Sequence, residues 1–322
     1  MTPRILLPLA VAAGLGLGST ARADENSNGG SAGAIRRVGQ GAATMALGSA
    51  GGAYPLGPQS RLVNPALIGW SGIRQAGLDW YKLSLDRSLL GLHLSWPLRP
   101  MGAFGFSYQR AGVSDIPEAT SWGEPTGRMM GASEDLFSFG VALTPSRFLA
   151  VGVGMSIYSQ GFSDLGGAGD LKETTAAVDL GLSVRPTRAS WVGFSLQNLG
   201  GSLAWDSSDL WGAGGGGMEE ELPLTMTLGA AAEFVQERLL VAADYEATDL
   251  DAWDLRCGVE WRSPTDELGR WALRAGWDDG SPTAGLGFAW PFATFEAGLD
   301  YAVVLHENDP EELHVISWRV GF

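Results

Sequence analysis

The chain has 322 residues, a formal charge of −15, 47 glycines, 13 tryptophans and only 18% charged residues. The acidic balance argues against nucleic acid or an anionic membrane surface as a partner, and a lone cysteine, Cys257, excludes an internal disulfide framework. A mean hydropathy of +0.05 fits neither a disordered chain nor a helical membrane protein.

The first 23 residues place Arg4 before an apolar run from Ile5 to Gly18, with small residues at Ala21 and Ala23. This reads as a secretory signal cleaved after Ala23. The apolar run is about 14 residues, short of the roughly 20 that a spanning helix needs. Residues 24–74 follow without alternation: polar DENSNGGSAG, then a Gly/Ala-rich stretch that ends at Asn64, Pro65 and Ala66. Asn before Pro is a turn initiator in its own right. GQGAAT, from Gly39 to Thr44, lacks both the preceding strand and the third glycine of a dinucleotide loop.

From Gln75 onward the period is two. Strands are predicted near 75–84, 88–97, 100–111, 133–144, 148–160, 172–185, 189–199, 222–234, 238–247, 252–262, 268–278, 282–290, 292–304 and 312–322, fourteen in all. Each is long enough for a tilted strand to cross a bilayer. One phase stays apolar, as in Leu90, Leu92, Leu94 and Trp96, or Trp253, Leu255, Cys257, Val259 and Trp261. The facing phase is small or polar, as in Asp254, Arg256, Gly258 and Glu260. A soluble sandwich buries the apolar phase, whereas a lipid-embedded barrel turns it outward.

Connection lengths favour the barrel. Long segments at 112–132, 161–171 and 200–221 alternate with three-residue turns, as external loops alternate with periplasmic turns. Aromatics recur near strand ends at Trp80, Tyr81, Trp96, Tyr108, Trp261, Trp277, Trp290 and Tyr301, the positions of interfacial girdles. The last residues, HVISWRVGF, alternate too, which suits a closing strand that pairs with the first and turns Ile316, Trp318, Val320 and Phe322 to lipid. The reading is an all-β, 14-stranded antiparallel transmembrane barrel over residues 75–322, after a signal at 1–23 and a separate segment at 24–74.

Asn64-Pro65-Ala66 after a Gly/Ala-rich stretch, then LQNLG at 196–200, LPLTMTLGAA at 222–231, GVEW at 258–261, LRAGW at 273–277 and LDYAVV at 299–304 occur in this order. Together they resemble the PorV/PorQ family of outer-membrane proteins, within the wider group of FadL-type barrels. The resemblance spans about Ala34 to Phe322 and departs at GPQSR, 57–61, where family members usually carry an acidic stretch. It implies that residues 24–74 fold inside the lumen as a hatch. It implies a location in the outer membrane of a Gram-negative-type bacterium, and that the terminal aromatics, Trp318 and Phe322, act as the insertion signal read by the barrel assembly machinery. It further implies a non-enzymatic role in type IX-like secretion or surface handover of cargo proteins. The alternative within the same group is passive transport of hydrophobic small molecules.

Catalysis finds little support: His93 falls on an inward phase, His306 in the last external loop and His314 on the lipid-facing phase, and nothing brings Ser, His and an orienting group together. No His or Cys spacing suits a transition metal, and no cofactor is expected. Inward-phase charges include Asp179, Asp244, Glu246, Asp254, Arg256, Glu260, Arg274, Glu296, Asp300 and Arg319. Mixed signs indicate a paired lumen network that anchors the hatch, or a polar lining for solute. The loop at 200–221 carries Leu203, Trp205, Leu210, Trp211 and Met218 among glycines and glutamates. These either contact a ligand or partner, or fold inward to cap the mouth. A transporter should present an apolar pocket that reaches a wall opening; a secretion partner should expose apolar loop residues such as Trp122, Met129, Met130, Leu210 and Trp211.

Overall fold

The computed structural model describes residues 32–120, 122–165, 169–211, 215–248, 253–266, 269–305 and 312–322. The predicted signal, residues 24–31 of the predicted hatch, and His306 lie outside them. Strands β1 (Gln75–Lys82), β2 (Ser88–Leu98), β3 (Gly102–Ala119), β4 (Pro125–Ser146), β5 (Leu149–Ser163), β6 (Leu171–Thr187) and β7 (Ser190–Leu199) form one half of the wall. Strands β10 (Thr225–Phe234), β11 (Leu239–Thr248), β12 (Trp253–Arg262), β13 (Arg270–Asp278), β14 (Ser281–Pro291), β15 (Glu296–Val304) and β16 (Leu313–Gly321) form the other. These fourteen close into a barrel, with β7 against β10 and β16 against β1. Between the halves, β8 (Ser202–Asp206) and β9 (Gly217–Glu221) make a separate two-stranded sheet.

The wall follows the two-residue repeat. Leu90, Leu92, Val153, Leu255, Leu273 and Trp318 are exposed on its outer surface, whereas Ser95, Ser107, Ser138, Asp244 and Glu260 are buried within. Outward aromatics form two belts, Trp80, Trp253 and Trp277 toward one end and Trp96, Trp261, Trp271 and Trp290 toward the other. Tyr81 departs from the expected girdle. Adjacent residues of a strand face opposite sides, so with Trp80 in lipid Tyr81 points inward, fully buried, and its hydroxyl accepts from the Gly41 amide at 2.6 Å.

Loop parity is retained, with two additions. The end that carries Gln75 and Phe322 has the short turns, as the periplasmic end of an outer-membrane barrel does, and the far end corresponds to the extracellular one. There the expected loop 112–132 is mostly strand: β3 and β4 continue past the last β2 pair, Ser88–Gly112, as a projecting ribbon. Kinks at Asp115, Pro117 and Gly127 mark it, a device that discourages pairing along free edges. The 200–221 loop likewise folds, as β8, the short helix α3 (Ser208–Trp211) and β9.

Residues 32–74 fill the lumen. They form α1 (Ala34–Val38), α2 (Ala42–Met45) and two 3₁₀ helices, Pro58–Leu62 and Pro65–Trp70. So little regular structure leaves many backbone groups without partners of their own, and short polar side chains of the wall supply them. Ser317 accepts from Ala42 N, Thr283 bridges Gly48 N and Ala46 O, Ser195 donates to Val63 O, and Gln109 donates to Gly39 O. At Asn64 the side chain caps Ala66 N at 3.0 Å and donates to Gly52 O and Leu182 O, and Pro65 opens the second 3₁₀ turn. The turn motif is therefore also a tie to the wall.

Inward glycines let this segment approach the wall backbone to backbone. A Cβ at Gly276 would lie 2.2 Å from Gly48 N, and one at Gly181 2.3 Å from Asn64 Oδ1. At Gly181 the Cβ would also lie 2.8 Å from Ala66 N, so at both positions a backbone atom is in the way and no rotamer change relieves the clash. Gly276→Val and Gly181→Val should each destabilise seating of the hatch by about 1–3 kcal/mol without preventing barrel closure. Hydrogen exchange at residues 44–53 and 62–68 should accelerate while heat-modifiable electrophoretic mobility persists. Gly72→Ala, with nothing near its Cβ, serves as the silent control; unchanged exchange in the valine variants would remove the steric account.

Candidate functional site

Two ion-pair systems build on β10–β16. Toward the extracellular side, Arg256 meets Glu246 at 2.6 Å and Asp278 at 3.0 Å, and Asp278 accepts from the Ser49 hydroxyl. Asp244 beside them is buried and accepts from Gly52 N at 2.6 Å. Asp254 is half-buried on the same strand face. Toward the periplasmic side a chain runs from Glu233 through Arg262, Glu260, Arg274 and Asp300 to Arg319. Tyr54 of the hatch joins it by donating to Glu233 at 2.7 Å, and burial pushes its phenol up to about 12, so it stays a neutral donor. Of the anticipated charges, the structure thus groups Asp244 and Arg256 in one system and Glu260, Arg274, Asp300 and Arg319 in another. Glu296 lies half-buried at the start of β15, apart from both chains of contacts.

A third anchor joins the hatch to β5, β6 and β7. Arg36 of α1, 3% exposed, places its Nη1 2.8 and 2.9 Å from the two Asp179 oxygens and also donates from it to Ser156, and Asn198 receives the Tyr158 hydroxyl alongside. Arg61 is buried too, donating to Ser138 at 2.7 Å, with its Nε and Nη2 unmatched among the described residues. Burial, helped by the nearby Arg36 charge, lowers its guanidinium to about 9. The sequence carried a signal for both residues: between 32 and 74 the charged residues are arginines alone, Arg36, Arg37, Arg61 and Arg74. Their counter-charges have to come from the wall.

The strands also bring together a Ser-His-Asp set that spacing does not reveal. The His93 ring has Nε2 2.9 Å from Asp79 Oδ2 and Nδ1 2.9 Å from Ser107 Oγ. These three lie on β1, β2 and β3, with His93 directly opposite Ser107. Ser107 is fully buried, so no substrate carbonyl can approach its hydroxyl in this arrangement. The set ties three strands together under the hatch.

Two cavities flank the hatch. The extracellular one, about 550 Å³, has Ile35, Val38, Met45, Leu89, Val113 and Leu313 as apolar lining and Arg37, Arg87, Glu134, Gln160, Arg256 and Asp278 among its polar lining. It shares Leu89, Val113 and Ala132 with a groove of about 580 Å³ whose rim includes the outward-facing Trp80 and Leu90. The periplasmic cavity, about 350 Å³, is lined mainly by charged groups. Over the extracellular mouth, Leu203 and Trp205 are buried, Trp205 against Phe162 at 5.6 Å. Trp205 is therefore buried in this arrangement and not exposed on the loop surface. Leu210 is half-buried against Gly169, Met218 is exposed, and the Trp211 side chain lies outside the described residues.

No family model and no curated protein matches the sequence. Solved structures do match the fold. The Pseudomonas putida toluene transporter TodX superposes with a TM-score of 0.58 at 15% identity, over 87% of this chain and 96% of that one. A Pseudomonas aeruginosa FadL homologue gives 0.60 at 14%, over 89% and 97%, and the CymD monoaromatic hydrocarbon channel 0.57 at 16%, over 88% and 97%. The chain has a closed 14-stranded barrel with the fold of these structures, and residues 32–74 occupy its lumen.

Proposed function

We propose that the protein is a passive outer-membrane channel for small hydrophobic molecules. The observation that carries this reading is the extracellular cavity, with its apolar stretch Ile35, Val38, Met45, Leu89, Val113 and Leu313, next to a groove that shares Leu89, Val113 and Ala132 with it and reaches the outward-facing side chains Trp80 and Leu90. A cavity of that size encloses a compact apolar solute, and burial of its surface supplies about 25 cal/mol per Å². The hatch forms the floor through Ile35, Val38 and Met45. The solved channels with the same fold, described as carrying toluene and other monoaromatic hydrocarbons, support the substrate class. Recognition of Trp318 and Phe322 by the barrel assembly machinery belongs to the same reading.

The experiment is uptake of a radiolabelled monoaromatic hydrocarbon by cells with and without the protein. Filling the cavity wall with Val113→Trp and Ala132→Trp should lower uptake about fivefold or more, the factor that about 1 kcal/mol of lost apolar contact supplies. Normal uptake by a correctly inserted double variant would refute this assignment of the cavity.

A second reading follows from the finer resemblance to PorV/PorQ proteins, in which the barrel hands secreted cargo to the surface. What favours it is the β3–β4 ribbon, where Trp122 is 90% and Met129 52% exposed. Large apolar side chains on a projecting ribbon can serve as a binding surface. Gene deletion separates the readings: the channel assignment expects loss of hydrocarbon uptake with protein release intact. Trp122→Ser with Met129→Ser should leave both measurements within twofold of wild type. A secretion defect in the double serine variant would transfer the assignment to cargo handover.

A further inference from the structure

The periplasmic cavity differs in chemistry from the rest of the molecule. Arg185, Arg188, Arg262, Arg270, Arg274 and Arg319 line it, against four carboxylates, Glu233, Glu237, Glu260 and Asp300. A local excess of positive charge thus sits in a chain whose formal charge is −15. Three of the carboxylates are already taken up by Arg262, Arg274 and Arg319. Arg188 and Arg270 make no ion pair among the described residues, and Arg319 Nε has no acceptor there. Arg185 is held in place between two rings, 4.8 Å above Trp191 and 5.6 Å from Trp70, and donates to the Arg188 carbonyl. Tyr54, Trp191 and Phe288 add aromatic walls.

We propose that this cavity is a binding site for a small organic carboxylate, with Arg188 and Arg270 as its principal charge partners and the aromatic rings flanking its body. A guanidinium presents a planar fork of donors that matches a carboxylate bidentately. Low-dielectric walls around a cleft where six arginines outnumber four carboxylates concentrate the field of that excess on an entering anion. The volume, about 350 Å³, suits a single-ring acid. The ligand is anionic and the site lies below the hatch, so this site is separate from the apolar cavity proposed for neutral solutes above it.

The test is benzoate binding to the detergent-extracted barrel by isothermal titration calorimetry, with benzyl alcohol as the uncharged isostere. Saturable benzoate binding that weakens with rising salt, with none for benzyl alcohol, is expected. Arg188→Ala with Arg270→Ala should weaken benzoate at least tenfold, and Arg188→Lys with Arg270→Lys should recover most of it. Both residues lie at the rim, and heat-modifiable mobility verifies that each variant is folded. Absence of saturable benzoate binding, equal binding of benzyl alcohol, or full affinity in the folded double alanine variant would overturn the proposal. Hydrocarbon uptake reports on the other cavity, so the two assignments can fail independently.

Discussion

Eight residue pairs from Gln75–Gly321 to Lys82–His314 join β1 to β16, so neither terminal strand of the barrel leaves an edge of unpaired amides in lipid. Any open edge there would cost several kcal/mol per group. Closure fixes the rest through the two-residue repeat: once Trp80 and Trp318 face outward, Tyr81 and Ser317 have to face in. Fourteen strands also enclose more space than wall side chains can fill, since eight nearly suffice for that. The interior needs a plug. It must also bond whatever backbone that plug brings with it.

The plug meets this demand with two complementary features. Its described charges are all arginines, while inward carboxylates such as Asp179, Asp244 and Glu246 belong to the wall. Its backbone is irregular, and the wall answers with Ser, Thr and Gln at inward positions. Where backbones touch, the wall is glycine, as at Gly276 against Gly48. High glycine content and an alternating polar phase, which in isolation read only as barrel composition, are thus the wall's half of a fitted interface.

Strand spans and facing were legible because alternation is local. Gln75–Lys82, Leu149–Ser163 and Leu239–Thr248 begin and end within a few residues of their predicted limits. Pairing across strands was not legible, since it depends on register between segments far apart in sequence. Arg36 and Asp179 are 143 residues apart, and the hydrogen bonds of His93 and Ser107 rest on which residue of β2 opposes which of β3. The β3–β4 ribbon was missed for another reason. Outside the membrane neither face has to be apolar, so Gly112–Gly131 loses the alternation by which strands were found. The buried position of Trp205 depends likewise on a β8–β9 sheet with only five residues in each strand.

The arrangement of the two cavities bears on how a hydrophobic solute would pass. Straight passage requires the hatch to leave its seat, which separates Arg36 from Asp179 and leaves buried charges, at a cost of about 3–5 kcal/mol for that pair alone. At 1.4 kcal/mol per tenfold, the open state would be populated about a hundredth of the time or less before any other anchor is counted. Below the hatch, moreover, an apolar solute would meet arginines and carboxylates instead of an apolar wall. Along β2–β5 the hatch can stay seated: the groove there is lined by Leu89, Val113, Trp80 and Leu90, with Asp86, Arg110, Asp170 and Lys172 also on its lining. On the channel reading proposed above, the route that keeps Arg36 and Asp179 paired therefore runs over the rim toward the bilayer, with the hatch as its fixed floor.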